Sequence, residues 1–152
     1  IRTLVTERGY ARATDVAETL DITRAAASVA ISGLRAKGLV EEDERHFLRL
    51  TEHGEELVLT IISNRHLLIR FLRDVLGIDP ELAEIDACKT EHLLSSESGR
   101  RLFRLLRYLF ADPTRTDMIR QVVQTVGDEC PGLAHCEVCS AFHECLMTGR
   151  HQ

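Results

Sequence analysis

The first 50 residues constrain the fold most, because three helical patterns occur there before a pattern typical of strands. A short amphipathic segment from the N-terminus ends at Gly9. A second helix is predicted in TDVAETLD, where Thr14 has the side chain of an N-cap. The inward-facing residues predicted for this helix are Val16, Ala17 and Leu20.

A third helix is predicted in TRAAASVAISGLRAKG, between an N-cap at Thr23 and a C-terminal glycine at Gly38. Its predicted core-facing residues are Ala27, Ala30, Ile31 and Leu34. The following LVEED-ERHFLRLT alternates as two strands would around an acidic turn. Three helices and a two-stranded wing are the element order of a winged helix-turn-helix. The segments A-x-x-L-x-I and L-x-x-K-G-L-V strengthen this assignment.

Residues 23–37 would be the recognition helix of such a domain, which places their side chains at DNA. Thr23 would bond a phosphate, Arg24 and Ser28 would reach groove edges, and Ala25 and Ala26 would offer methyl contacts to thymine. Arg35 and Lys37 would contact the backbone, and Arg45 and His46 lie at the predicted wing tip. The net charge of −5 argues against DNA binding, but residues 1–50 carry eight basic and eight acidic side chains, so the excess acid lies downstream.

From Thr51 the pattern changes to a helix of about 26 residues, followed by a helix that Pro80 opens in PELAEIDACKTEHLLS. The apolar surface of the long helix is too wide for one neighbour and comprises Leu57, Ile61, Ile62, Leu68, Ile69, Leu72 and Leu76. This surface predicts either a dimer interface or a fully buried central helix. Further helices are predicted at 96–110 and about 114–127, the last ending at Gly127.

Cys88, Glu91 and His92 lie at i, i+3 and i+4 of the helix that Pro80 opens and would share one face. A thiolate, a carboxylate and an imidazole together suit a first-row transition metal such as Fe(II), Mn(II), Co(II) or Zn(II). His66, among apolar neighbours on the preceding helix, is a further candidate ligand. The alternatives are a core histidine at residue 66 and a polar helix face that includes a small buried thiol.

Four of the five cysteines are spaced C-x5-C-x2-C-x5-C near the C-terminus, at Cys130, Cys136, Cys139 and Cys145. This spacing resembles the cluster-binding loop of small winged-helix proteins of bacterial ferrous-iron uptake, which implies an iron–sulfur cluster. Zinc is a second interpretation, for which His135 and His143 offer nitrogen ligands. Disulfides or free thiols are the third.

Five stretches resemble, in order and spacing, the iron- and manganese-dependent repressors of the diphtheria toxin repressor family. They are GYARATDVAETL, AAASVAISGLRAKGLV, LTEHGEEL, NRHLLIRFLRDVLGID and DACKTEHLLS. The resemblance covers roughly residues 1–110 and implies a homodimer that binds a double-stranded DNA operator when Fe(II) or Mn(II) is bound. It matches the shorter, two-domain form, since the C-terminal SH3-like domain of larger members is not apparent.

The resemblance implies Cys88, Glu91 and His92 as primary metal ligands and His66 as an ancillary one. At least one further family ligand would lie upstream of Ile1. Arg70 stands where iron-type members often carry a glutamate, and Glu84 replaces a histidine but could still coordinate. The thiolate of Cys88 favours iron over manganese.

The sequence therefore predicts a mainly α fold, in which a winged helix-turn-helix (1–50) precedes a helical dimerisation and metal-binding domain (51–127) and a Cys-rich extension (128–152). We expect a cytoplasmic, metal-dependent repressor of metal-uptake genes. No apolar run approaches the length of a membrane span, and no nucleophile–base pair or phosphate-binding glycine loop indicates an enzyme. The alternative is an iron–sulfur redox sensor or iron-transport accessory protein whose winged helix contacts another protein.

Overall fold

The computed structural model describes residues 1–126 and Cys136, and these residues are mainly helical. The first part contains α1 (Arg2–Arg8), α2 (Ala13–Thr19), α3 (Arg24–Ala36), β1 (Val40–Glu42) and β2 (Leu48–Leu50). The second part contains α4 (Glu52–Arg70), a π-helix (Phe71–Val75), α5 (Pro80–Thr90), α6 (Ser96–Phe110) and α7 (Pro113–Thr125). The order of three helices and a two-stranded wing is the predicted one. Gly127, predicted to end the last helix, lies outside the described residues.

The core of the first part lies between the three short helices and the wing. Its buried residues are Leu4, Ala11, Val16, Ile31, Val40 and Leu48. The strands pair antiparallel with Val40 opposite Leu50, so that β1 and β2 each contribute one buried apolar residue at Val40 and Leu48. Thr23 caps α3 as predicted, and its hydroxyl accepts a hydrogen bond from the Ala26 amide at 3.1 Å.

Two details of this part differ from the prediction. Thr14 is not an N-cap, because α2 already begins at Ala13, and the Asp15 carboxylate accepts a hydrogen bond at 2.9 Å from the amide of Arg12, the residue before the helix. Leu20 is 62% exposed rather than inward-facing. It follows the last residue of α2, where the chain turns away from the core.

Helix α3 buries a narrower face than its apolar pattern predicts. Only Ala27 and Ile31, one turn apart, are buried, whereas Ala30 and Leu34 are exposed. One narrow row of buried residues is enough to attach α3 to the core, because the helix packs mainly against α2 and β1 and its remaining surface faces solvent. An exposed outer face is what a recognition helix requires.

The junction between the two parts is fixed by hydrogen bonds and a close backbone approach. Thr51 caps α4 by accepting from the Gly54 amide at 3.0 Å, and its hydroxyl donates to the Gly38 carbonyl at 2.6 Å. Gly54 is buried against the backbone of Leu39, so that an added Cβ would overlap the Leu39 carbonyl oxygen. Only glycine allows the first turn of α4 to lie this close to the wing.

We expect Gly54→Ala to lower the free energy of unfolding by about 1–3 kcal/mol, because the backbone of α4 or of the wing must move to accept the methyl group. Urea unfolding followed by circular dichroism measures this loss. Gly33→Ala is the matched control, since a Cβ at this helical glycine meets nothing within 4 Å. It should stabilise the protein by up to about 1 kcal/mol. Equal effects of the two changes would contradict the close approach at Gly54.

The helical part packs around the C-terminal end of α4, where its backbone widens into the π-helix. Its buried residues are Val75, Leu106 and Leu109, joined by half-buried side chains that include Leu67 and Phe71. Gly54 and Asn64 are the only buried residues of α4, and Leu57 and Ile62 are exposed. The interpretation of α4 as a fully buried central helix is therefore wrong for this chain by itself.

Helix α5 is shorter than predicted. Asp79 caps it and Pro80 opens it, but it ends at Thr90 instead of continuing to residue 95. Residues 91–94 form a turn, and Ser95 then caps α6 by accepting from the Ser98 amide at 3.2 Å. Of the helices in the described residues, none has the length and apolar character to cross a membrane.

Candidate metal centre and nucleic-acid interface

The N-terminal end of α3 presents most of the predicted DNA-contacting residues to solvent. Arg24, Ala25, Ala26 and Ser28 are exposed, and Thr23 fixes the start of the helix. Arg24 makes no ion pair with any other residue that the structure describes. This end of α3 thus offers a cation, a hydroxyl and two methyl groups on an open surface, which are groups that can contact base edges.

Arg35 has an internal role that its position in the sequence did not predict. Its guanidinium donates to the Glu42 carboxylate at 2.6 Å, and His46 Nδ1 lies 2.8 Å from the other oxygen of the same carboxylate. Arg35 therefore ties the C-terminal turn of α3 to the wing. Lys37, one residue beyond the end of α3, is exposed and remains available for a phosphate contact.

The tip of the wing is ordered by the carboxylate of Asp43. This carboxylate accepts hydrogen bonds from the amides of Phe47 and Arg45, both at 2.9 Å. The bond from Phe47, followed by that from Arg45, lowers the pKa of Asp43, so the group is ionised at neutral pH. The turn brings His46 into the left-handed region (φ 62°) and leaves the Arg45 side chain exposed.

Arg12 joins this surface, although the sequence pattern did not indicate it. It lines a depression together with Arg45, His46 and Glu42, at the start of α2. Its guanidinium carbon lies 4.7 Å from the centre of the Phe47 ring, which holds the side chain over the wing. The available sequence signal was an arginine just before a short helix, with an aromatic residue in the wing opposite. The guanidinium groups of Arg12 and Arg45 lie at one depression beside the Glu42 carboxylate, and such groups can bind phosphate.

The predicted primary metal ligands lie at the end of α5 and in the turn after it. Cys88 is exposed in the last turn of α5, Glu91 is the C-cap and half-buried, and His92 is exposed in the turn. Glu91 keeps helical backbone angles (φ −52°, ψ −38°), so Cys88 and Glu91 retain their i, i+3 relation. Glu84 is exposed one turn before Cys88.

Glu91 carries the one polar side-chain atom in the described residues that is buried without a hydrogen-bond partner, its Oε2. Arg65 Nε lies 3.9 Å from this oxygen, beyond hydrogen-bonding distance. A buried carboxylate oxygen without a donor is unfavourable unless another cation or donor reaches it. A metal ion could satisfy this oxygen, and the thiol of Cys88 and the imidazole of His92, which are near Glu91 in the sequence, are of the types that bind first-row transition metals.

His66 lies in a groove between α4 and α6. The groove is also lined by Ser63, Arg70 and Phe103, and its lining does not include Cys88, Glu91 or His92. Arg70 pairs with Asp74 in the π-helix, and its guanidinium carbon stacks 4.3 Å from the centre of the Phe110 ring. Across residues 1–126 and Cys136, no group of three or more His, Cys, Asp or Glu side chains is close enough to hold a metal ion. The ligand assignment therefore stays a prediction.

Of the C-terminal cysteine quartet, Cys136 is the one member within the described residues, and it is half-buried. Cys130, Cys139 and Cys145 lie outside them. Their predicted cluster or zinc site stays a prediction from spacing.

Residues 51–120 match the family model described as "Iron dependent repressor, metal binding and dimerisation domain". The chain is 32% identical over 117 residues to the iron-dependent repressor IdeR of Mycobacterium tuberculosis (strain ATCC 25618 / H37Rv), a match that covers 77% of this chain and 50% of IdeR. It is 31% identical over 110 residues to the HTH-type transcriptional regulator MntR of Lysinibacillus sphaericus (strain C3-41), covering 72% of this chain and 78% of MntR.

Among solved structures, the apo form of the manganese-activated repressor ScaR is similar, with a TM-score of 0.59 and 26% identity. The match covers 70% of this chain and 51% of the ScaR chain. The chain thus spans about half the length of IdeR and ScaR, and most of the length of MntR.

Proposed function

Because the chain belongs to the family of iron- and manganese-dependent repressors, the diphtheria toxin repressor family, we propose that it is a metal-dependent, DNA-binding transcriptional repressor. Its targets would be genes of metal uptake, and it would act in the cytoplasm as a homodimer. Bound metal would favour the arrangement of the two winged helices that fits an operator. The relatives carry the names of repressors and regulators, which supports a regulatory rather than an enzymatic role.

One observation carries the proposal, the buried Oε2 of Glu91 that lacks a hydrogen-bond partner. It lies within the segment that matches the metal-binding domain of the family. Cys88, Glu91 and His92 would hold the ion, and His66 and Glu84 would supply ancillary ligands. The thiolate of Cys88 favours Fe(II) over Mn(II).

The bound ion would supply positive charge that neutralises the Glu91 carboxylate and draws Cys88 and His92 together at the end of α5. A ligand shifts a conformational equilibrium only through its different affinities for the two states. Arg65 is the nearest cation described beside Glu91, and at 3.9 Å it satisfies that carboxylate incompletely. A conformation in which Glu91 binds metal more tightly would therefore increase in population when metal is added.

Exposed apolar side chains on the helical part support the homodimer. They include Leu57 and Ile62 on α4, Leu82 and Ile85 on α5, and Phe103 and Tyr108 on α6. Apolar side chains exposed on three helices are available to an interface between two copies of the chain. Two winged helices in one dimer would present two copies of α3 to a palindromic operator.

We propose that Cys130, Cys136, Cys139 and Cys145 form a second site, for an iron–sulfur cluster or zinc, which adds to the main function. The support is their spacing within 16 residues. The comparisons give no support to the alternative of an iron–sulfur sensor that uses its winged helix only for protein contacts. Anaerobic purification distinguishes the two. Cluster absorbance that disappears in the variant lacking all four cysteines, without any effect of Fe(II) on DNA binding, would favour the alternative.

Removal of metal should weaken operator binding. The operator is first selected from random duplexes with protein loaded anaerobically with Fe(II), or with Mn(II). Protein stripped with a chelator should then bind it about 5–150-fold more weakly, the range of coupling between two ligands of one protein. Readdition of Fe(II) or Mn(II) should restore binding, and Mg²⁺ should not, because it prefers all-oxygen sites. Equal binding by stripped and loaded protein would overturn the proposed function.

A further inference from the structure

Asn64 is a buried amide in a helix whose other side chains are half-buried or exposed. It is 3% exposed and lies near the middle of α4. A buried amide is unfavourable unless its polar atoms find partners, so apolar side chains are the usual occupants of such a position. The partners of Asn64 therefore indicate what the amide contributes.

Both hydrogen bonds that Asn64 donates reach the turn that follows α5. Its Nδ2 donates to the carbonyl of Leu94 at 3.0 Å and to that of Glu91 at 3.3 Å. Within this turn, the Leu93 amide bonds to the carbonyl of Thr90 at 2.9 Å in place of a helical partner. The carbonyls at a helix end need outside donors, and here one side chain of α4 provides them at both ends of the turn.

The opposite side of Asn64 is closed by α6. Gly99 packs so tightly on the amide that an added Cβ would overlap the Asn64 Oδ1 atom. The amide thus lies between the turn of residues 91–94 and the first turns of α6, and has little freedom to move. Asn64 bonds to the backbone carbonyl of Glu91, and the next residue, Arg65, approaches the side-chain carboxylate of Glu91.

We propose that Asn64 is a positioning residue of the metal centre. By holding the carbonyls of Glu91 and Leu94, it fixes the turn that carries the Glu91 carboxylate and the His92 imidazole, and so sets where these groups meet the ion. The inference rests on the proposed metal-binding function and extends it to a residue that does not itself bind metal. Groups that orient metal ligands typically change metal affinity about 10–100-fold when removed.

The test uses Co(II) as a spectroscopic probe and the variant Asn64→Leu, which keeps the branching of the side chain and removes both donors. The full chain is titrated with Co(II) in competition with a chelating indicator. We expect Asn64→Leu to weaken Co(II) binding about 10–100-fold and to change the energies and intensities of the d–d bands. A change in the spectrum reports altered ligand geometry, which a loss of stability alone would not produce.

Thr116→Val is the matched control. Thr116 is buried on α7 and donates one hydrogen bond to the Leu109 carbonyl at 3.2 Å, away from the turn of residues 91–94. The Thr116→Val variant should lose stability but keep the Co(II) affinity and spectrum of the wild type. If Asn64→Leu does not fold, as judged by circular dichroism, Asn64→Ser replaces it, since one hydroxyl cannot bond both carbonyls. We expect it to lose about 10-fold in affinity.

Wild-type affinity and an unchanged spectrum in the folded Asn64 variant would overturn the positioning role while leaving the proposed function intact. Failure of the wild-type protein to bind Co(II) would overturn both. An equal loss of Co(II) affinity in Thr116→Val would also overturn the positioning role, because the effect would then follow from stability.

Discussion

Cys88→Ala and His92→Ala should each abolish metal-dependent operator binding while leaving the fold and the oligomeric state unchanged. Both side chains are exposed and make no hydrogen bond or ion pair with another described residue, so their removal costs the folded chain little. Loss of a direct ligand should reduce metal affinity by at least about 100-fold, which exceeds the usual effect of groups that only orient ligands. Titration with Fe(II) under anaerobic conditions, followed by operator binding, measures both effects.

His53→Ala is the control for His92→Ala. His53 is an exposed histidine in the first turn of α4. Its substitution removes the same kind of side chain from another surface of the protein. It should keep the metal response of the wild type. If a Cys88→Ala/His92→Ala double variant bound the operator as tightly and as metal-dependently as the wild type, the ligand assignment would be wrong, whatever its effect on stability.

The order of elements was predictable because it depends on local chemistry. Thr23 caps α3 and Pro80 opens α5, as their side chains dictate, and the strands alternate between buried and exposed residues. The width of each buried face was not predictable. Ala30 and Leu34 continue the apolar pattern of α3, but no element covers that side of the helix, and they remain exposed.

The candidate metal centre was predicted as three residues on one continuous helix, and the structure preserves only part of that arrangement. The helix ends at Thr90, and the carbonyls of the turn are held by Asn64, which lies 27 and 30 residues away in sequence. A hydrogen bond over such a distance leaves no trace in local periodicity. For the same reason Arg12 was missed, because it comes beside Arg45 only through the contact of the segment before α2 with the wing, where the Leu48 amide donates to the Ala11 carbonyl at 2.8 Å.

Arg24→Ala should relax sequence recognition and cost about 1–3 kcal/mol of binding free energy on the selected operator, with a smaller loss on unrelated duplexes. The reason is its place at the exposed N-terminal end of α3, where side chains of a recognition helix reach base edges. Arg12→Ala should act differently. Because Arg12 would contact a phosphate beside the wing, its loss should weaken binding to all duplexes similarly. It should also lower the slope of log affinity against log salt by about 1.

Arg104→Ala removes the same charge from an exposed position on α6, in the helical part of the chain, and serves as the matched control. Metal-loaded samples of all three variants are compared by fluorescence anisotropy on specific and unrelated duplexes at several salt concentrations. Arg104→Ala should leave specificity and salt slope unchanged. If Arg24→Ala, like Arg12→Ala, weakened binding to the specific and the unrelated duplex by the same factor, α3 would contribute charge rather than base readout. Sequence recognition would then have to come from another part of the chain.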